Sequence, residues 1–142
     1  MAAMVLSRLS RLTGDKRWRE AADLQLSWLA GAARGYPAGH SFAMLAFLEE
    51  LWPTAELVVT AQTPPEELQI FLRENSRPGL TVLVKTRPNA GALAALAPFT
   101  KDYPIPMQGM RYYLCRDGAC AQPVDSILKL EPLLHGTTEL ES

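Results

Sequence analysis

Ligands for soft metals are scarce in this chain, which holds two histidines and two cysteines in 142 residues. The histidines, His40 and His135, stand in distant elements. A structural zinc site needs four such groups converging on one point, so no metal is expected. Glycine-rich phosphate loops are lacking too. The turn Thr60-Ala61-Gln62-Thr63 lies where a strand gives way to a helix, the usual ligand position of open α/β sheets, but it has no glycine to admit a phosphate. No cofactor is expected. The 14 basic and 15 acidic residues leave a net charge of -1, which offers no field to capture a polyanion, so nucleic acid is not an expected partner. No run reaches the roughly 18 apolar residues of a membrane span. The opening MAAMVLSRLSRL is interrupted by Ser7, Arg8, Ser10 and Arg11 before the apolar core of a secretory leader can form. A soluble, cytoplasmic protein with free thiols is the first expectation.

Catalytic constellations are equally thin. No Ser/His/Asp or Cys/His arrangement can be assembled. Glu49-Glu50 and Glu66-Glu67 are adjacent on helices, where neighbours diverge by about 100°, so they read as solvated faces rather than paired carboxylates. His40 reads as a first-turn helix residue. No catalytic residue is expected.

What is present is the composition of an ordinary globular chain, 48% apolar and 20% charged. The length suits one domain with a helical appendage, and eleven prolines cut it into short elements. Residues 2–12 place Met4, Val5, Leu9 and Leu12 at helical spacing. Asp15 caps a second helix to about residue 33, with Trp18, Ala21, Ala22, Leu24, Leu26, Trp28 and Leu29 covering more than half its circumference. After the loop Tyr36-Pro37-Ala38-Gly39, residues 40–51 form a third helix with Phe42, Leu45, Leu48 and Leu51 as its seam. Three such helices carry more apolar surface than they can hide from water. Trp18, Trp28 and Leu29 are therefore candidate interface residues, facing another chain or further sequence.

The grammar changes at Pro53. Strands are expected at residues 55–60 and 80–85, and helices at 63–75, opened by Thr63 and Pro64, and at 90–97, capped by Asn89. A loop over 100–109 leads to a hairpin of 110–115 and 119–124, and a last helix runs to about residue 134. With Asp117 and Gly118 as a two-residue type I′ loop, Cys115 faces Cys120 at a non-hydrogen-bonded site, where Cα atoms approach to about 4.5 Å. That is close to disulfide range. Three readings of the pair stay open: reduced thiols packed as small hydrophobes, a structural disulfide, and a redox or metal-binding pair. The fold class is α/β: three N-terminal helices over 1–53, a small layered domain over 54–135 with a mostly parallel sheet and one β-hairpin, and a flexible tail over 136–142.

Tyr36-Pro37-Ala38-Gly39 before an apolar helix, the strand AELVVT and the segment YYLCRDGACAQPV together resemble the C-terminal end of the YyaL-like, spermatogenesis-associated protein 20 type proteins. Members tend to show a Tyr, Val or Leu, Cys, four residues, Cys, two residues, Pro pattern before a short terminal helix. Here it falls on Tyr113, Leu114, Cys115, Cys120 and Pro123. The resemblance spans about residues 4–134. It implies a longer protein, with a thioredoxin-like domain followed by an (α/α) toroid similar to N-acylglucosamine 2-epimerases and six-hairpin glycosidases. Residues 1–53 would be the toroid's last helices and the rest its C-terminal extension. The resemblance carries over no catalytic residue. The expected function is a non-catalytic structural and interaction domain with a carbohydrate-related context, partnered by the remainder of its own protein or self-associating through the helices. The alternatives are a redox-responsive module using Cys115 and Cys120, and a fragment of a sugar-processing enzyme.

Overall fold

Two helix-ending devices set the first reversal of the chain. Helix α1 (Ala2–Thr13) stops at Gly14, whose φ of 68° is the left-handed conformation that glycine adopts without a Cβ penalty. Asp15 then accepts a hydrogen bond from the Arg17 amide and caps α2 (Lys16–Ala33), as its sequence position predicts. A single 3₁₀ turn, Pro37–His40, leads into α3 (Ser41–Leu51). This computed structural model describes residues 1–63, 66–75, 77, 79–116 and 118–135. The chain divides into two units: Met1–Pro53 with Ala95–Pro98, and a second beginning at Thr54 that takes up the remainder.

The helical unit is built on small residues. Ala3 and Ser7 of α1, Ala22 and Ala33 of α2, and Ala43, Ala46 and Glu49 of α3 are the buried positions of its three helices. Small side chains let helix axes approach closely, since interaxial distance follows the residues at the contact. This overturns the expected seam of α3. Phe42, Leu45, Leu48 and Leu51 are exposed, because the helix turns its alanine face inward and its leucine face outward. Glu49 is corrected as well, being buried rather than solvated. Arg8 holds it in a bidentate pair, Nε to Oε1 at 2.5 Å and Nη2 to Oε2 at 3.1 Å, and Arg11 adds a third bond at 3.3 Å. The carboxylate thus ties α3 to α1. Arg19 joins Glu50 at 3.0 Å and also pairs with Asp23.

The second unit is a four-stranded sheet in the order β2-β1-β3-β4, made of β1 (Ala55–Ala61), β2 (Leu80–Lys85), β3 (Met110–Arg116) and β4 (Ala119–Cys120). The α/β class stands, but the sheet is mixed rather than mostly parallel. Only β1 and β2 run parallel; β3 lies antiparallel beside β1 and β4 antiparallel beside β3. An apolar run such as β1 is compatible with either kind of neighbour, and the hairpin enters the sheet through β3 at the centre rather than at the margin. One face of the sheet, with Leu57, Val59, Val82, Tyr112 and Leu114, packs on Leu68 and Phe71 of α4 (Glu66–Glu74) and on Leu130 and Leu134 of α6 (Ile127–His135). Arg77 and Arg116 donate to the Leu133 and Leu134 carbonyls that end α6, at 2.6 to 3.0 Å. Positive groups suit that end of the helix dipole.

Strand β4 is shorter than the expected 119–124. Ala121 still donates to the Leu114 carbonyl at 2.8 Å, but the next pairing joins Tyr112 to Val124, three residues on for two in β3. The extra residue makes a bulge beside Pro123, which has no amide to offer the ladder. Helix α5 (Ala90–Leu96) follows Asn89, whose side chain bonds back to the Thr86 amide and the Val84 carbonyl and so closes the turn after β2. Three expected features fall outside the described residues: Pro64 at the start of α4, Asp117 of the hairpin loop, and the tail over 136–142.

Candidate functional site

The hairpin register brings the cysteines together as its sequence predicts, with Cys115 opposite Cys120 and Arg116 opposite Ala119. Gly118, at φ 78°, supplies the left-handed residue that such a reversal requires. Of the three readings left open, the structure has a disulfide: Cys115 and Cys120 are bonded, with Cα atoms 3.9 Å apart. This differs from the free thiols expected of a reducing compartment, because the ribbon holds the two sulfurs face to face. The partners differ in environment. Cys115 is buried within β3, whereas Cys120 is exposed on the outermost strand.

Tyr103 completes the site, and no sequence motif singles it out. Its hydroxyl lies 3.2 Å from Cys115 Sγ and 2.9 Å from Cys120 Sγ. Disulfide sulfurs carry no proton, so the phenol is the donor. The ring stacks on Tyr113 of β3, centroids 4.3 Å apart and planes 7° apart, and meets the Phe99 edge at 6.5 Å. Burial pushes the Tyr103 hydroxyl above the ordinary tyrosine range, with Tyr113 and Asp102 adding to the shift. It therefore keeps its proton at neutral pH.

Lys85 fixes the backbone beneath that ring. The ammonium is buried at the end of β2 and donates to the carbonyls of Thr100, Lys101 and Tyr103 at 2.7, 3.2 and 2.7 Å. Three donors meet three acceptors, which leaves the buried cation fully hydrogen-bonded. A lone charge closing the apolar run LTVLV was the available sequence signal. Gln62, in the turn considered for a ligand, spends its side-chain amide on the Pro106 carbonyl at 2.6 Å and holds the same loop. Near it in β1, Thr60 Oγ1 is buried with no hydrogen-bond partner among the described residues.

The candidate interface residues lie apart from the disulfide in sequence and unit. Trp18 and Trp28 are exposed and Leu29 is half-buried. Trp28 at 69% and Leu24 at 74% exposure share one face of α2, one turn apart, while Phe42 at 68% and Leu51 at 84% lie on α3. By contrast Ala22 is 0% and Ala46 2% exposed. His40 bonds through Nδ1 to the Tyr36 carbonyl at 3.0 Å, and His135 meets Arg77. The two histidines thus serve local structure.

Among the described residues no three or more His, Cys, Asp or Glu side chains are grouped to hold a metal ion, and no helix is long and apolar enough to cross a membrane. Fold and site together define a mixed α/β chain with a disulfide-closed sheet edge and a helical unit that turns apolar side chains to solvent. Comparison with protein-family models, with curated proteins and with solved structures returns no match.

Proposed function

We propose that this chain is a non-catalytic structural and interaction module, the C-terminal part of a thioredoxin-domain-containing, epimerase-like toroid protein. Its helical unit is the end of that toroid, and its partner is the remainder of the same protein. One observation carries the reading: the unit over 1–53 buries alanines and exposes tryptophan, phenylalanine and leucine. That is the reverse of a self-sufficient bundle, in which large apolar side chains are the ones removed from water. Any link to carbohydrate chemistry belongs to the whole toroid and to none of these side chains individually. A cytoplasmic location goes with this reading, and there the Cys115–Cys120 bond meets thiols rather than oxidants.

Magnitudes favour a partner within the same chain over a second copy. Covering Leu24, Trp28, Phe42 and Leu51 returns roughly 6–12 kcal/mol, at about 1.5–3 kcal/mol for each side chain. Free association of two molecules costs about 4–15 kcal/mol in lost translation and rotation alone. A dimer formed through this surface covers the same side chains on both copies but keeps only the part of that gain left after this cost. A covalently continuous partner escapes most of that cost and stays docked.

Dye binding tests the proposal. The native 142-residue chain is expected to bind 8-anilinonaphthalene-1-sulfonate, and the double substitution Trp28→Ser, Phe42→Ser to lower the signal while leaving far-UV circular dichroism unchanged. A native chain that leaves the dye dark has no surface of this kind to offer, and the proposal fails.

A further inference from the structure

We propose that the Cys115–Cys120 bond is an exchange site for dithiols, in which an incoming thiolate attacks Cys120 Sγ and Cys115 Sγ departs onto the Tyr103 hydroxyl. The inference stands independently of the interaction reading above, since it rests on different residues. Three observations carry it. The two sulfurs are unequal in access: Cys120 lies exposed on a two-residue edge strand and Cys115 within buried β3. A proton donor is already in place, for the Tyr103 hydroxyl reaches both sulfurs, at 2.9 and 3.2 Å. That donor is held, its ring stacked on Tyr113 and its carbonyl bound by Lys85 at 2.7 Å.

The chemistry balances as two successive displacements. A thiolate of the dithiol forms a bond to Cys120 Sγ; the Cys115–Cys120 bond breaks, and its electron pair leaves on Cys115 Sγ. Accepting the Tyr103 O–H hydrogen bond stabilises that buried thiolate, which then takes a proton from solvent. The second thiol of the reagent displaces Cys120 Sγ from the mixed disulfide in the same way. The protein ends with two thiols, the dithiol as its cyclic disulfide, and two electrons have moved from reagent to protein. Exchange is faster when the leaving thiol has a lower pKa, and a hydrogen bond donated to the thiolate lowers it. Reduction releases the covalent tie between the outer strand and β3.

Two measurements on the oxidised, folded chain test this. In the first, reduced glutathione is added with iodoacetamide present throughout, and the products are mapped by peptide mass spectrometry. The expected product carries glutathione on Cys120 and the alkyl group on Cys115. Glutathione on Cys115, or no adduct on Cys120, overturns the inference, and this measurement needs no variant. In the second, reduction by dithiothreitol is timed for the unaltered chain and for Tyr103→Phe, which keeps the ring on Tyr113. The variant is expected to react about tenfold more slowly at an unchanged urea midpoint, by loss of the hydrogen bond to the leaving group. An equal or faster rate removes Tyr103 from the step, and reduction no faster than global unfolding removes the exchange site altogether.

Discussion

Glu49→Gln is the substitution that best tests how the helical unit is held together. The Glu49 side chain is 6% exposed and receives three charge-assisted hydrogen bonds, two from Arg8 and one from Arg11. Removing one member of a fully buried ion pair costs about 3–5 kcal/mol, because the other charge is stranded. Here the stranded charge has an escape, since the Arg8 side chain is 51% exposed and can turn to water. Glutamine keeps one acceptor but sets its amide group against an arginine donor. These corrections bring the expected loss to about 2 kcal/mol, which lowers the urea midpoint by roughly 1 M for a small domain. Tryptophan fluorescence is the assay, because Trp18, Trp28 and Trp52 all lie within residues 1–53 and report that unit alone. The same loss should shrink when Arg8→Met and Arg11→Met are already present. A midpoint unmoved by Glu49→Gln would refute the carboxylate as the tie between α1 and α3.

Three further outcomes are expected from the second unit. Lys85→Met strands the carbonyls of Thr100, Lys101 and Tyr103 and should cost about 2–4 kcal/mol, read by circular dichroism in urea, where an unchanged midpoint would contradict the role. Burial, with a smaller contribution from Glu67, raises Tyr112 from 10.0 to about 12. Its contribution to stability is therefore whole below about pH 10 and disappears as the pH climbs through about 12, so tyrosinate absorbance should show a tyrosine ionising near pH 12 that Tyr112→Phe abolishes. Arg77→Ala combined with Arg116→Ala leaves the end of α6 without its cationic donors and should cost about 2 kcal/mol; a loss no larger than for either single change would contradict shared capping.

Much of the second unit is legible in the sequence. Strands at Ala55–Ala61 and Leu80–Lys85 follow from their β-branched runs, and the cysteine register from alternation around a two-residue loop. Strand order is not legible, because an apolar run records burial on both faces and not the direction of its neighbours. Helical periodicity raises a different difficulty. The pattern of α3 contains two stripes, Phe42-Leu45-Leu48 and Ala43-Ala46-Glu49, and hydrophobicity alone selects the first. The structure packs the second, since Glu49 finds Arg8 and Arg11 only when that face turns inward. The role of Tyr103 is hidden for a similar reason. It sits in a loop without period, and its position over the disulfide depends on Lys85 and Tyr113, remote in sequence. At Gly39 the Tyr36 ring lies against the backbone, where a Cβ would require the ring to shift.

The central claim is that the helical unit exposes a surface shaped to be covered by protein. Sedimentation velocity of the 142-residue chain over a wide concentration range is the direct measurement. Weak, concentration-dependent self-association that Trp28→Ser with Phe42→Ser abolishes is the predicted result. A strictly monomeric boundary at every concentration, identical for the chain and its double variant, would contradict it.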